Sequence, residues 1–238
     1  MVTQELGALE THVRDHPVAH HRFLNEFGSM SIDSFRRFVQ EQYRLSTTFP
    51  QALAGMYACA EDLETKEGIV PAWKLAQPLM GMLAVEHWGS RAEGAHSGYF
   101  IELATSLGLS IDGLSKHEPY EETTALVSTR DKLCRNRPML RALGAIALGN
   151  EFVNSFIFPR YLTGAEQIRA KSRVDFPLGY FQVHVKDEIG DYKNVCRMIE
   201  PFLKSPSTPD VRAVLMSGAN ELLGARQTWY DALEKRLL

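Results

Sequence analysis

Helical periodicity fills this chain from end to end, and alternating runs of β-branched residues are nearly missing. A chain of 238 residues patterned this way has to bury helix faces against one another. The breaks are legible. Residues 3–15 read as a first helix, ended by His16-Pro17, because the residue before a proline resists the α conformation. A short helix over 18–28 stops at Gly28, and Ser31-Ile-Asp33-Ser34 reads as the N-cap region of a long helix. That helix runs through Phe35, Phe38, Val39, Gln42, Tyr43 and Leu45, with a kink expected at Pro50 and a second half to about Asp62.

After a loop around Thr65–Gly68 and a segment with Pro71 and Pro78, one helix is expected from Leu79 to Leu107, closed by Gly108. A turn-rich connector over 109–119 precedes helices at about 120–135 and 138–162, with Pro138 in a first turn. Residues 163–177 read as a loop, 178–203 as a helix, Ser205–Pro209 as a break, and 210–237 as a last helix. The fold class expected is all-α: one bundle of seven or eight helices, with residues 1–238 as a single domain.

Composition narrows the function classes. A formal charge of −3, with Lys and Arg scattered, gives no basic face for nucleic acid. The three cysteines, Cys59, Cys134 and Cys196, are too few and too far apart for a disulfide framework or a CxxC knuckle, so a reduced cytosolic compartment is expected. The first residues, MVTQELGALETHVRDH, lack the basic and apolar regions of a signal peptide. No apolar run approaches the ~20 residues that cross a bilayer. A cytoplasmic protein without membrane contact is the expectation.

Three segments carry acids and histidines at helical spacing. Glu86, Glu93 and His96 stand at i, i+7 and i+10, within an arc of roughly 80° on one helix. Glu93 and His96 have the Glu-x-x-His spacing of carboxylate-bridged bundles. His184, Glu188 and Asp191 stand at i, i+4 and i+7. Between these segments, Glu151 is the one acid of the apolar run LRALGAIALGNEFV, where a carboxylate is costly to bury unless paired or bound to metal. Oxygen and imidazole donors of this kind suit iron or manganese. Spacing by itself leaves open a solvated acidic face, the ordinary place for a helical Glu or Asp.

The pattern Glu86-x6-Glu93-x2-His96, Glu151, then His184-x3-Glu188-x2-Asp191 resembles the haem-oxygenase-like diiron oxidases and oxygenases. These share a seven-helix fold with thiaminase-like and pyrroloquinoline-quinone-synthase-like proteins. The resemblance covers nearly the whole chain, and FxxFVQEQYRLSTTFPQALAG near the start also fits it. It implies two ferrous ions per chain and O2 as co-substrate. Catalytic roles fall to Glu86, Glu93, His96, Glu151 and His184, and Asp187, Glu188 and Asp191 join them as metal ligands. Two departures stand out: Asp191 replaces the usual His, and Glu188 the usual Asp, while Asp187 can stand in for Glu188 if the helix is rotated.

The resemblance implies oxidation of a small amino acid. Chain length and the Asp-ended motif are similar to nitrile-forming members, which convert a 5,7-dibrominated tryptophan to an indole-3-carbonitrile. Phe49, Tyr57, Phe152, Tyr180 and Phe181 are candidates for a ring slot, or for plain core, and Arg44 and Lys186 for a carboxylate anchor. The alternatives are oxidative decarboxylation of a fatty acid, N-oxygenation of another amino acid, a metal-free thiaminase-like enzyme using Cys59, and a helical partner-binding protein. A homodimer is the expected assembly.

Overall fold

The structure, a computed structural model, describes residues 2–66, 72–88, 96–136, 139–204 and 211–238. No strand occurs among them, and the chain has a haem-oxygenase-like all-α fold. Helix α1 spans Val2–Arg14, and short turns of helix follow through α2 (Arg22–Asn25) to Ser29. Two histidines cap these turns: His16 Nδ1 accepts from the Val18 amide and His21 Nδ1 from that of Phe23. The Ser31 hydroxyl accepts from the Ser34 amide at 3.0 Å and opens α3, Ile32–Lys66, as its capping residue type predicts. This helix continues through Pro50 to Lys66, past the expected end near Asp62.

Helices α4 (Ala72–Trp88) and α5 (His96–Ser106) replace the single helix expected over 79–107. An uninterrupted helix would hold positions 86 and 96 about 15 Å apart along its axis. Their side chains instead meet at 3.0 Å. Gly108, with φ of 81°, follows α5 as expected. The connector over 109–119 contains α6, Ile111–Lys116, capped by Ser110. Next come α7 (Glu121–Arg135), α8 (Met139–Ile146), a π-helical turn over Ala147–Phe152, and α9 (Val153–Ser172), the last three continuous. The expected loop over 163–177 is helical as far as Ser172. Its residues include good helix formers, and Ala165 and Ile168 are buried. Helices α10 (Gly179–Lys204) and α11 (Val211–Leu237) complete the chain, and the expected break at Ser205–Pro209 lies outside the described residues.

Helix α11 runs along α8, α3 packs on α4 and α7, and α10 packs on α9, α5 and the π-helical turn. The α8–α11 crossing is set by two glycines. A Cβ on Gly144 would stand 1.9 Å from the Leu215 carbonyl oxygen, and one on Gly218 would stand 1.9 Å from that of Arg141. The backbones touch there, which brings α11 close beside the helix that carries Glu151. Phe23, Phe27, Phe35, Phe38, Tyr161, Trp229 and Tyr230 form an aromatic core beneath this layer. No helix among the described residues is long and apolar enough to cross a membrane.

Candidate metal centre

A cavity of about 300 Å³ opens between α3, α4, α5, α7, the π-helical turn, α9, α10 and α11. Glu86, His96, Glu151, His184, Glu188 and Asp191 all line it. Asp187 joins them through His96, and Glu93 lies outside the described residues. The sequence-derived residues that can be described thus meet in one place, carried by α4, α5, the π-helical turn and α10.

His96 opens α5 between two carboxylates. Its Nδ1 lies 3.0 Å from Glu86 Oε1 and its Nε2 3.3 Å from Asp187 Oδ2. Burial works against a charge on this ring, but the hydrogen bond and charge of Glu86 outweigh it and lift the pKa to about 9. The imidazolium returns the effect: burial raises the Glu86 carboxyl, and His96 holds it below its ordinary value. Without metal, a proton on His96 balances this cluster.

His184 is its opposite. Nδ1 lies 2.7 Å from the Tyr180 carbonyl, and a carbonyl only accepts. Nδ1 therefore carries the proton and Nε2 a free lone pair, the arrangement that orients a metal-binding histidine. The ring stacks on Phe158 at 4.1 Å and 12° and lies 4.5 Å from the His96 ring. Burial and the nearby His96 push its pKa down to about 4, so the ring is neutral. Ligand atoms of Glu86, His96 and His184 lie within 4.8 Å of one another, close enough to share an ion.

Glu151 and Glu188 form the deep wall, 3% and 4% exposed. Burial, then the charge of Asp191, push Glu151 up to about 8. Burial and Glu151 push Glu188 well above the carboxylate range. Two carboxylates this close in a dry site cannot both ionise without a cation. Burial and Glu86 likewise lift Asp191 to about 6. Glu151 reaches the cavity from the π-helical turn, a wide i→i+5 turn that often marks functional sites.

An amide pair supports the wall. Asn150 Nδ2 donates to Glu151 Oε1 at 3.1 Å and Asn154 Nδ2 to Glu188 Oε1 at 3.4 Å. Arg226 of α11 donates to both amide oxygens, at 2.7 Å to Asn150 and 2.5 Å to Asn154. An arginine only donates, so it fixes which way each amide faces and turns both NH2 groups toward the acids. Asn150 and Asn154 stand at i and i+4 around Glu151, a polar stripe visible in the sequence. Arg226 sits among other charges on an amphipathic helix and gave no such signal.

These residues fit a metal. Among the described residues the buried Glu188 Oε2 has no hydrogen-bond partner. Oxygen and imidazole donors converge on one space, and the acids lack enough positive charge to ionise together.

The rest of the wall is largely aromatic. Of the candidates for a ring slot, Phe49 and Tyr180 line the cavity, and Phe100, Phe158, Trp229 and Tyr230 join them. Tyr57 is exposed, Phe152 packs on Phe156 and Tyr192, and Phe181 packs in the core against Phe35 and Tyr161. Neither Arg44 nor Lys186 lines the cavity; Arg130 and Arg226 do. None of the three cysteines lines it either, and Cys59 Sγ faces the Arg135 carbonyl at 3.5 Å.

The sequence pattern of one family, described as iron-containing redox enzyme, matches residues 36–213. No curated protein matches at a significant level. Among solved structures, a CADD-like protein of unknown function from Nostoc punctiforme superposes with a TM-score of 0.69 at 18% identity, over 99% of this chain and 98% of that one. A TenA family transcription regulator from a Silicibacter species gives 0.71 at 14%, over 96% of each chain. A domain of unknown function with a haem-oxygenase-like fold from Shewanella denitrificans gives 0.67 at 14%, over 98% and 90%. At these identities the likeness to solved structures is one of fold.

Proposed function

Since the chain belongs to the iron-containing redox enzymes of haem-oxygenase-like fold, we propose that it is a non-haem diiron oxidase that uses O2 to oxidise an amino acid. The observation that carries this reading is the buried Glu151–Glu188 pair, facing Glu86, His96 and His184 across one cavity. Glu86, His96, Glu151, His184, Glu188 and Asp191 would hold two ferrous ions, with Asp187 beside them and Glu93 as a further ligand. Iron held there supplies the activation of O2.

The protein's own part is to shape and dry the site. His184 offers Nε2 because the Tyr180 carbonyl takes the proton side of its ring. His96 gives up a proton when a cation takes its place between the acids. Arg226, through Asn150 and Asn154, holds the two deep carboxylates in a fixed orientation. The Tyr180 hydroxyl is held by Gln42 at 3.0 Å and Ser46 at 2.9 Å, which locks the ring that packs on His184.

The aromatic walls favour a substrate with a flat ring over a fatty acid, which calls for an aliphatic channel. The narrower reading is conversion of 5,7-dibromo-tryptophan to the indole-3-carbonitrile. Anaerobic Fe(II) addition should load two irons per chain. Exposure to O2 with the brominated amino acid should then yield nitrile, detected by mass spectrometry. Iron uptake that Glu151→Ala and His184→Ala leave unchanged would refute the metal assignment. Iron uptake without turnover of any amino acid would refute the substrate class.

A further inference from the structure

Arg130 of α7 is 6% exposed and lines the cavity. One of its terminal nitrogens donates twice, to the Leu45 carbonyl at 2.9 Å and to the Thr48 hydroxyl at 2.7 Å. The guanidinium lies over the Phe49 ring, 5.2 Å from its centre. No Asp or Glu among the described residues pairs with it within 4.0 Å. A guanidinium has five N–H donors, and the other three make no hydrogen bond to a described residue.

A buried cation is costly unless an anion answers it. Helix packing alone does not require one here, since tying α7 to α3 takes only the two bonds to Leu45 and Thr48, which a neutral donor can make. A second cation, Arg226, faces the same cavity. It is already committed to Asn150 and Asn154, and its charge helps burial pull Arg130 down to about 10.

We infer that Arg130 anchors the carboxylate of the substrate, so that the protein, and not the metal, holds the acid end of an aromatic amino acid. This rests on the proposed amino-acid substrate. It adds that recognition of the acid end is complete before iron is present. The planar guanidinium suits a carboxylate bidentately, and Phe49 beneath it shields the pair from water. With the acid end fixed at Arg130, the ring has the aromatic walls to occupy.

The test measures binding to chelator-treated protein by calorimetry. The probes are L-tryptophan and 5,7-dibromo-L-tryptophan, each set against its decarboxylated amine. The wild type should prefer the acid-bearing member by about ten- to hundred-fold, the scale of hydrogen bonds between charged groups. Arg130→Gln should bring that ratio close to one while leaving the amine's affinity in place. Arg130→Lys, which keeps a cation without the planar fork, should lower acid binding more than amine binding, and it carries the test if the glutamine variant does not fold. A merely structural Arg130 would weaken acid and amine by the same factor, which overturns the inference. So does acid binding that appears only after iron is added. Iron loading and O2 consumption are scored separately, so a failed anchor is distinguishable from a failed diiron assignment.

Discussion

Replacing Glu151 with glutamine should stabilise the metal-free protein and weaken the metal-loaded one. The carboxyl is buried, and burial together with Asp191 raises its pKa from 4.5 to about 8. In the unfolded chain the group ionises near its ordinary value, whereas in the folded chain it keeps its proton to about pH 8. The folded state therefore binds the additional proton between those values, and stability falls as pH rises through that window. At about 1.36 kcal/mol per pH unit, the interval from 4.5 to 7 opposes folding by roughly 3 kcal/mol at neutral pH. Glutamine keeps the shape and the acceptor oxygen that Asn150 addresses. Its amide can also donate toward Glu188, whose Oε2 has no partner among the described residues. For a chain of this size each kcal/mol moves the melting temperature by about 2–4 °C, so the gain at pH 7 is about 6–12 °C. Circular-dichroism melts in chelator at pH 5.5, 7 and 8 check this, and the advantage should widen with pH. Adding Co(II) or Fe(II) should reverse the order, because an amide oxygen is a weaker ligand than a carboxylate. An advantage independent of pH, or a variant less stable than wild type at pH 8 without metal, refutes the account of the buried pair.

Arg226→Met releases both asparagine amides, and metal affinity should fall about 10- to 100-fold, the usual effect of losing support behind ligands; competitive chelator titration measures it. Asp191→His should keep or strengthen binding at the second metal position, and complete loss of iron in plasma emission analysis would show that Asp191 does not stand where the family places a histidine. Gly144→Ala forces a Cβ against the Leu215 carbonyl and should cost about 3 kcal/mol or more by denaturant unfolding, whereas Gly224→Ala, with open space around it on the same α11, should be neutral or gain about 0.5–1 kcal/mol.

Much of this was legible in the sequence because it is written in periodicity and cost. Glu151 stood out as a lone acid in an apolar run, and burial is where the structure puts it. The long α3 and its serine cap were plain from local signals. Glu86 and His96 do come together, but across two helices and not on one face of a single helix, because a distance of 3.0 Å cannot be met along one. The extension of α9 to Ser172 was obscured by Thr163-Gly164, a pair that reads as a break although the residues after it favour helix. The widened turn at Ala147–Phe152 leaves no mark in composition, since the run LRALGAIALGNEFV reads as an ordinary helix throughout. Arg130 and Arg226 were invisible for a related reason: a charge on an amphipathic helix reads as solvated until the neighbouring helices are in place.

The widened turn also governs how this chain tolerates insertion and deletion. Removing one residue from a helix rotates everything beyond it by about 100°. A π-helical turn holds one residue more than the α-helical turn it replaces. A one-residue deletion within Ala147–Phe152 that closed the turn to ordinary α geometry would therefore leave Asn154, Ile157, Phe158 and Tyr161 in register on the cavity wall, with Gly144 still seated on α11. The same deletion elsewhere in α8 or α9 would turn every residue beyond it off its face. Length can therefore change in this one short stretch at the expense of Glu151's own placement, whereas elsewhere along the same continuous helix it disturbs all the contacts that follow.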